Sequence, residues 1–306
     1  MSKSINIPTI YTPSSVNELV SMIRANPKAY LFAGGTYIMS EKKEYPEFDD
    51  KDIIQLEKVA ELTKTGHSDK YTEFGASLTL QKIMNAGAQI FSPDTINALE
   101  MISNSQIRNL STVGGALCTY EKRFFLPCIL STINAQAEMK TILKNKVVTK
   151  IVSIPSLYNE DGLFLYPGVS FMTKIRIPNN PDGKQYFQVS GSPIREPRTT
   201  VYFGLNYSVI QSNLEHCHLC ISCTENCFFT NNDFDNTLSS LTLPIKKQQM
   251  SQVLKLLRDR LSETCRKMSD FQKERAVRFL HCVLADISER FISGELYNDE
   301  HENYRR

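Results

Sequence analysis

The sequence has no tryptophan, few glycines and prolines (13 of each among 306 residues), and no long apolar run. The low glycine and proline content excludes collagen-like and low-complexity chains. No stretch approaches the roughly 18 apolar residues that a membrane-spanning helix needs. The N-terminal residues also lack the apolar segment and small-residue cleavage site of a secretory signal. We therefore expect a soluble, cytoplasmic protein.

Charge of either sign is not in excess, since 35 basic and 33 acidic residues leave a formal net charge of +2. A general nucleic-acid binder usually carries a basic excess or stripe, which this composition does not provide. Hydrophobic residues make up 41% and charged residues 22% of the chain, as in ordinary folded proteins. The length predicts two or three domains.

Hydrophobic spacing predicts mixed helices and strands. A capping box at Ser15–Glu18 precedes apolar residues that share one helix face. A cluster of turn residues at Pro178–Gly183 predicts a boundary. Further helices are predicted at 78–85, 125–135, 246–266 and 271–291, and strands at 29–32, 52–56, 72–76, 138–143, 147–152, 170–177, 185–190, 199–209 and 214–221.

Two glycine pairs stand out, Gly34-Gly35 and Gly114-Gly115, and both are expected at strand ends. Glycine lets the backbone approach a phosphate closely and lets amide N–H groups point at it. Neither pair belongs to a Walker A loop or to the G-x-G-x-x-G pattern of a dinucleotide fold. A single glycine pair is usually only a tight turn, whereas two in this arrangement favour an anion site.

The segments AGGT at Ala33–Thr36 and RNLSTVGG at Arg108–Gly115 resemble two motifs of a known family. This family is the FAD-binding medium subunit or domain of molybdenum hydroxylases, the xanthine dehydrogenase and CO dehydrogenase flavoprotein family. The resemblance covers about residues 10–178 well and continues more loosely to about 291. Supporting segments follow in the same order, at Tyr11–Ser15, Phe74–Thr79, Leu126–Leu130 and Phe171–Pro178.

The resemblance implies an α+β fold. Two α/β FAD-binding subdomains of the PCMH or vanillyl-alcohol-oxidase type would precede a C-terminal domain of antiparallel sheet and helices. The implied divisions are an FAD-binding domain at 1–178, with subdomains at about 1–58 and 59–178, a CO dehydrogenase flavoprotein-like domain at 179–292, and a tail at 293–306.

The resemblance also implies FAD as the cofactor. Its pyrophosphate would lie on Ala33–Thr36, the second glycine pair would approach the phosphates or ribityl chain, and Phe171 and Met172 would contact the isoalloxazine. An anionic centre beside a flat apolar ring suits such walls. The expected cofactor-binding residues are Phe32, Ala33, Gly34, Gly35, Thr36, Tyr37, Phe74, Gly75, Thr112, Gly114, Gly115, Leu117, Thr119, Phe171 and Met172.

Three positions depart from the family pattern. Phe125 stands where the family usually has an aspartate, Ala116 where it has an asparagine, and Gln188 near where it often has a lysine. These changes remove a carboxylate and a cation near the expected flavin site, so weakened flavin binding is an open alternative.

The functional expectation is therefore an oxidoreductase subunit. It would pass electrons from iron–sulfur centres to NAD or another acceptor, within a complex that includes a molybdopterin-binding large subunit and a [2Fe–2S] small subunit. The alternative is a non-catalytic scaffold or assembly subunit that has weakened or lost its flavin.

A run of four cysteines suggests a second site. Cys217, Cys220, Cys223 and Cys227 have the C-x2-C-x2-C-x3-C spacing of a [4Fe–4S] cluster, and neighbouring histidines also allow zinc. The same segment is expected to be a strand, which would place these thiols on two faces. Buried thiols that pack as small hydrophobic groups are then the competing interpretation.

Overall fold

The computed structural model describes most of the chain. The described residues are 8–40, 51–87, 90–119, 125–144, 146–159, 163–166, 169–179, 183–192, 195–224 and 227–295. Parts of the expected first subdomain (1–7 and 41–50) and of the expected tail (296–306) lie outside these ranges.

The chain forms two compact units. The first is drawn from Met1–Tyr120, Asn134–Asn159 and Leu163–Asn180, and the second from Glu121–Ile133, Glu160–Gly162 and Pro181–Arg306. The helix at Phe125–Thr132 thus belongs with the second unit, although its sequence lies within the expected FAD-binding domain. The functional domain boundaries stay a prediction.

The first unit begins with a small parallel sheet in the order β1-β3-β2. Helix α1 packs its apolar face, which includes Leu19 and Ile23, into the core of this region. One half of the predicted capping box is confirmed, because the Ser15 side chain accepts a hydrogen bond from the Glu18 amide. The reciprocal half differs, since Glu18 Oε2 accepts the amide of Ser14 at 2.8 Å and not that of Ser15. The bounds are β1 Ile10–Tyr11, α1 Val16–Ala25, β2 Tyr30–Phe32 and β3 Ile53–Gln55.

A five-stranded antiparallel sheet follows in the order β4-β5-β8-β6-β7. Strand β8 lies at its centre, and one face carries fully buried apolar side chains such as Phe74 and Ile175. The bounds are β4 Thr65–His67, β5 Tyr71–Gly75, β6 Gln136–Ile142, β7 Val147–Ser153 and β8 Ser170–Pro178.

Four short helices connect β5 to the rest of the first unit. Each begins at a side chain that accepts a backbone amide, namely Thr79, Ser92, Asn104 and Thr112 in turn. These caps fix where each helix starts. The bounds are α2 Leu80–Ala86, α3 Pro93–Glu100, α4 Ser105–Leu110 and α5 Val113–Leu117.

The second unit is built on an antiparallel sheet in the order β12-β11-β10-β9. Alternate residues of β10 and β11 face a large apolar core that also contains residues of three helices, α7 to α9. Helix α6 contacts the same two strands, and each of its residues is buried. The bounds are α6 Phe125–Thr132, β9 Lys184–Ser192, β10 Glu196–Ile210, β11 Asn213–Cys223 and β12 Cys227–Phe229.

Two long helices close the second unit, as predicted. The last begins with a reciprocal cap, in which the Ser269 and Gln272 side chains each accept the other's backbone amide. Among the helices that the structure describes, none combines the length and apolar character needed to cross a membrane. The bounds are α7 Asn232–Ser239, α8 Lys247–Thr264 and α9 Asp270–Ile292.

Candidate functional site

The first glycine pair forms a tight turn at the end of β2. Gly35 has a φ of +68°, a left-handed conformation that favours glycine, and a Cβ added there would lie 2.5 Å from the Phe32 ring. The Gly35 carbonyl accepts the Met39 amide at 2.9 Å, which leads the chain into a short helical turn at Ile38–Ser40. The prediction of a strand followed by a glycine turn is confirmed here.

Four successive amides line this turn, those of Ala33, Gly34, Gly35 and Thr36. None of them donates a hydrogen bond within the described part of the chain, and all four residues are partly exposed. Adjacent backbone amides without an internal partner can donate to an anion, and phosphate oxygens accept such donors. These residues therefore fit the phosphates of a cofactor.

The second glycine pair lies in a different setting from the one predicted. It follows helix α4 and forms part of α5, whereas the sequence suggested the end of a strand. The physical reason is local capping, since Asn104 accepts the Ile107 amide at 2.9 Å and Thr112 accepts the Gly115 amide at 3.1 Å.

The amides at the start of α5 are already used within the protein. Val113 donates to the Leu78 carbonyl at 3.0 Å, and Gly114 donates to the Ala76 carbonyl at 2.8 Å. A Cβ at Gly114 would also lie 2.8 Å from the Ala76 side chain. Close packing therefore explains this glycine, and contact of Thr112, Gly114 and Gly115 with a cofactor stays a prediction.

The structure brings the two glycine segments together. A Cβ at Gly34 would overlap the carbonyl oxygen of Leu110 and lie 3.4 Å from the Cα of Ser111. Only glycine allows this approach of two backbones. The turn that carries the unpaired amides thus packs directly against the second motif, at Leu110 and Ser111.

Arg108 organises the second motif, a role that the sequence pattern did not reveal. Its Nη1 donates to the carbonyls of Glu100, Ile102 and Ser103 at 2.9, 3.3 and 2.7 Å. Its Nε donates to Gln81 Oε1 at 3.3 Å. The guanidinium fork therefore fixes the connection between α3 and α4, just before the segment that contacts Gly34.

Four predicted cofactor contacts have buried side chains. Phe74 and Leu117 are fully buried, and Phe171 and Met172 are 3% and 4% exposed. Phe74 stacks on Phe91 with ring centroids 6.4 Å apart. In this structure these side chains are core residues, and their contact with a flavin stays a prediction.

The remaining predicted residues differ in accessibility. Gly75 packs against the backbone of Leu62, so its glycine serves the fold. Tyr37 is partly exposed, and Thr119 donates its hydroxyl to the Ala116 carbonyl at 3.0 Å. The accessible part of the expected site is thus residues 32–37 together with Gly115 and Thr119, all of which are partly exposed.

Two of the departures from the family pattern have structural roles. Phe125 stacks on Tyr202 with ring centroids 5.1 Å apart, inside the second unit. Gln188 lies within 3.4 Å of the Tyr186 hydroxyl, and Tyr186 packs against Phe203 of the core. Both side chains therefore stabilise the second unit.

The four cysteines do not form a metal site, and this prediction is wrong for the described residues. Cys217 and Cys223 on β11 face the core that contains Cys227, whereas Cys220 faces Cys128 of α6. Among the described residues, no group of three or more His, Cys, Asp or Glu side chains could hold a metal ion. Burial also raises the pKa of the Cys217 thiol to about 12, which opposes the thiolate that a metal requires.

A polar trio with a partly exposed histidine at its centre joins β11 to two helices of the second unit. His218 Nδ1 lies 2.8 Å from Asp235 Oδ2, and Ser131 Oγ lies 3.5 Å from His218 Nε2. Asp235 Oδ1 also accepts the Leu219 amide at 2.9 Å. Ser131 is only 2% exposed, so the trio stabilises the packing of α6 and α7 and offers no accessible nucleophile.

Known proteins share both the sequence pattern and the fold. The chain is 27% identical over 155 residues to a xanthine dehydrogenase of Drosophila subobscura, covering 47% of this chain and 11% of that protein. It is 24% identical over 185 residues to the nicotine 6-hydroxylase medium subunit of Paenarthrobacter nicotinovorans, covering 57% of this chain and 60% of that subunit. The chain therefore spans only part of either relative.

Solved structures match nearly the whole chain. A chain of the Cu,Mo-CO dehydrogenase superposes with a TM-score of 0.72 at 17% identity, covering 92% of this chain and 96% of that one. A chain of quinoline 2-oxidoreductase from Pseudomonas putida 86 gives 0.71 at 15% identity, covering 95% and 99%. At these identities the likeness shows the fold, and it confirms the expected α+β class.

A family model described as the FAD binding domain in molybdopterin dehydrogenase matches residues 3–180, which is more than half of the chain. This range contains both glycine segments and the turn with the unpaired amides. The chain therefore belongs to the family of FAD-binding domains of molybdopterin dehydrogenases.

Proposed function

We propose that this chain is the FAD-carrying electron-transfer subunit of a multi-subunit molybdopterin dehydrogenase. The observation that carries this proposal is the row of four amides at Ala33–Thr36, which make no hydrogen bond within the described chain. When bound, FAD supplies hydride and single-electron transfer chemistry. The role of the protein is to hold and orient it.

The turn at Ala33–Thr36 would hold the diphosphate through backbone donors. Backbone amides hold an anion at fixed positions without the rotamer entropy of a long side chain. The packing of Gly34 on Leu110 keeps these amides in place. Thr36 adds a partly exposed hydroxyl next to them.

The partners belong to the same proposal. They are a molybdopterin-binding large subunit and a [2Fe–2S] small subunit, with NAD or another acceptor for the electrons. One relative is by its name a medium subunit, and the xanthine dehydrogenase match occupies 11% of a much longer protein. Both facts support a chain that works beside other redox domains.

A charge substitution in the turn tests the diphosphate site. Because an aspartate would repel the diphosphate, we expect Thr36→Asp to weaken FAD binding about tenfold or more. Thr36→Asn is the matched control, since it has the same shape without the charge. The measurement is FAD titration of the apoprotein, followed by flavin fluorescence. Equal affinities of the two variants would place the diphosphate elsewhere.

A scaffold subunit without firm flavin binding is the second candidate. It is favoured by the start of α5, where the Val113 and Gly114 amides donate to carbonyls of the same unit. The packed Phe125, in place of an expected carboxylate, points the same way. A folded, colourless protein that ignores added FAD would establish this candidate, whereas released FAD identified by mass would exclude it.

A further inference from the structure

A cleft of about 270 Å³ lies in the first unit, beside strands β4 and β5. Thr65 and His67 alternate along β4 and so lie on the same face, and Thr72 is directly opposite His67 on β5. Ala86, at the end of α2, belongs to the apolar part of the wall. We call this the His67 cleft. The described residues that line it are Thr65, His67, Thr72, Ala86, Ile90 and Asn179.

Three polar side chains of the His67 cleft form a hydrogen-bonded chain. Thr72 Oγ1 donates to Asn179 Oδ1 at 2.8 Å. Asn179 Nδ2 donates to the Ser68 carbonyl at 2.6 Å, which fixes the orientation of the amide. A hydroxyl has one hydrogen, so Thr72 Oγ1 can only accept from its other neighbour. That neighbour is His67 Nδ1, 3.2 Å away, which must therefore carry the proton of this hydrogen bond.

This chain fixes the tautomer of the neutral His67 ring. When Nδ1 carries the proton, Nε2 has a free lone pair and acts as an acceptor. Thr72 is only 2% exposed, so its place in the chain is shielded from water. Nε2 forms no hydrogen bond within the described part of the chain, and His67 is exposed. The cleft thus offers a ligand an oriented acceptor.

The lining also restricts the kind of ligand. Among the described lining residues there is no Asp, Glu, Lys or Arg, so a charged ligand would find no counter-ion. No group of described His, Cys, Asp or Glu side chains could hold a metal ion there. Ala86 and Ile90 provide an apolar surface. A cavity of about 150 Å³ holds benzene, so this cleft has room for one aromatic ring with a polar substituent.

We propose that the His67 cleft binds small phenols, that is, neutral aromatic molecules with one O–H donor. The hydroxyl donates to His67 Nε2 and the ring packs against Ala86 and Ile90. None of the lining residues is among those proposed to hold FAD. The proposal is therefore independent of the flavin, and its test does not require the cofactor.

Two probes of similar shape test the proposal. Phenol and fluorobenzene have rings of nearly equal size, but only phenol can donate a hydrogen bond. Each is titrated into the full chain, and the methyl signals of Ala86 and Ile90 are followed by NMR. We expect both signals to shift, and phenol to bind about tenfold more tightly than fluorobenzene, because one hydrogen bond distinguishes them.

A substitution tests the role of the histidine. His67→Phe keeps an aromatic ring but removes the acceptor, so phenol should lose about tenfold in affinity and bind no better than fluorobenzene. His281→Phe, on the exposed side of α9, is the matched control and should leave both affinities unchanged.

Three results would overturn the proposal. The first is equal affinity of the natural chain for the two probes, and the second is the absence of phenol-induced shifts at Ala86 and Ile90. The third comes from a long-range ¹H–¹⁵N spectrum of the natural chain, which reports the protonated ring nitrogen of each histidine. A proton on Nε2 of neutral His67 would remove the acceptor. These three readouts decide the question even where His67→Phe folds poorly.

Discussion

Individual glycines in this protein serve backbone conformation and close packing. Gly35 is in the left-handed region and faces the Phe32 ring, whereas the nearest atom to a Cβ at Gly66 is 3.5 Å away. The glycine pair at 34–35 thus marks a tight turn, and the amides that this turn leaves unpaired are the proposed phosphate donors. These two contributions can be separated by substitution.

We expect Gly35→Ala to lower the free energy of unfolding by about 1–2 kcal/mol, because alanine is strained at positive φ and contacts the Phe32 ring. Gly66→Ala is the matched control and should change stability by less than about 0.5 kcal/mol. Urea unfolding followed by circular dichroism measures both. Equal losses in the two variants would contradict the assigned role of the Gly35 conformation.

Arg108 stabilises the connection between two elements, α3 and α4. Because the single nitrogen of lysine cannot replace both Nη1, which contacts three carbonyls, and Nε, which donates to Gln81, we expect Arg108→Lys to cost about 1–2 kcal/mol of stability. Arg24→Lys on the exposed side of α1 is the control and should be neutral. The midpoint of thermal unfolding measures both, and an unchanged midpoint for Arg108→Lys would contradict this role.

An ion cluster links neighbouring strands of the five-stranded sheet. Glu73 on β5 accepts hydrogen bonds from Lys174 and Arg176 on β8, both at 2.7 Å. Burial raises the pKa of Glu73, but the hydrogen bonds and charges of Lys174 and Arg176 outweigh it, so the pKa lies below its usual value. The ionised form is therefore favoured in the folded protein.

Because the pKa of Glu73 is lowered in the folded protein, its contribution to the free energy of unfolding depends on pH. The stabilisation is complete above the unfolded-state pKa of glutamate, about 4.3, and is lost as the pH falls through the lower folded-state pKa. We expect Glu73→Gln to cost about 1 kcal/mol at pH 7 and progressively less below about pH 4. Thermal midpoints across this range measure the effect. Glu289→Gln, on the exposed side of α9, is the control. The difference between its thermal midpoint and that of the natural chain should not change in this way.

The sequence predicted those elements that are specified by residues within the element itself. The Ser15 cap and the long helices α8 and α9 follow from spacing and capping residues that lie within the elements themselves. Short elements such as α4 and β12 were missed, because they depend on neighbours distant in sequence. The competing interpretation of the cysteine run did follow from local strand geometry, since β11 directs Cys217 and Cys223 to the core and Cys220 toward Cys128.

At the scale of the whole chain, the family could be predicted from the sequence. Which of the two glycine segments has unpaired amides could not. Both glycine segments were recognised, but their direct contact through Gly34 and Leu110 is a property of the tertiary structure. Likewise, the sequence suggested phosphate contacts at both segments. Only the fold shows that the amides at the start of α5 are occupied while those at Ala33–Thr36 are not.

If NAD is the electron acceptor, as proposed, the FAD-loaded chain should also react with NADH. A subunit that delivers hydride to NAD must also accept hydride from NADH, because the two reactions are the same step in opposite directions. We expect NADH to bleach the visible flavin absorption of the FAD-loaded chain under anaerobic conditions, and dithionite is the positive control. Bleaching by dithionite alone would exclude NAD as the acceptor.

The contact between Gly34 and Leu110 has a consequence for the order of folding. The turn proposed to hold the diphosphate contacts a segment that is synthesised much later, so it cannot reach its final shape while the nascent chain ends before α4. Contacts between distant segments also form late in refolding, because the entropy of closing the intervening loop must be overcome first. Competence to bind the cofactor should therefore appear only after the first unit has assembled.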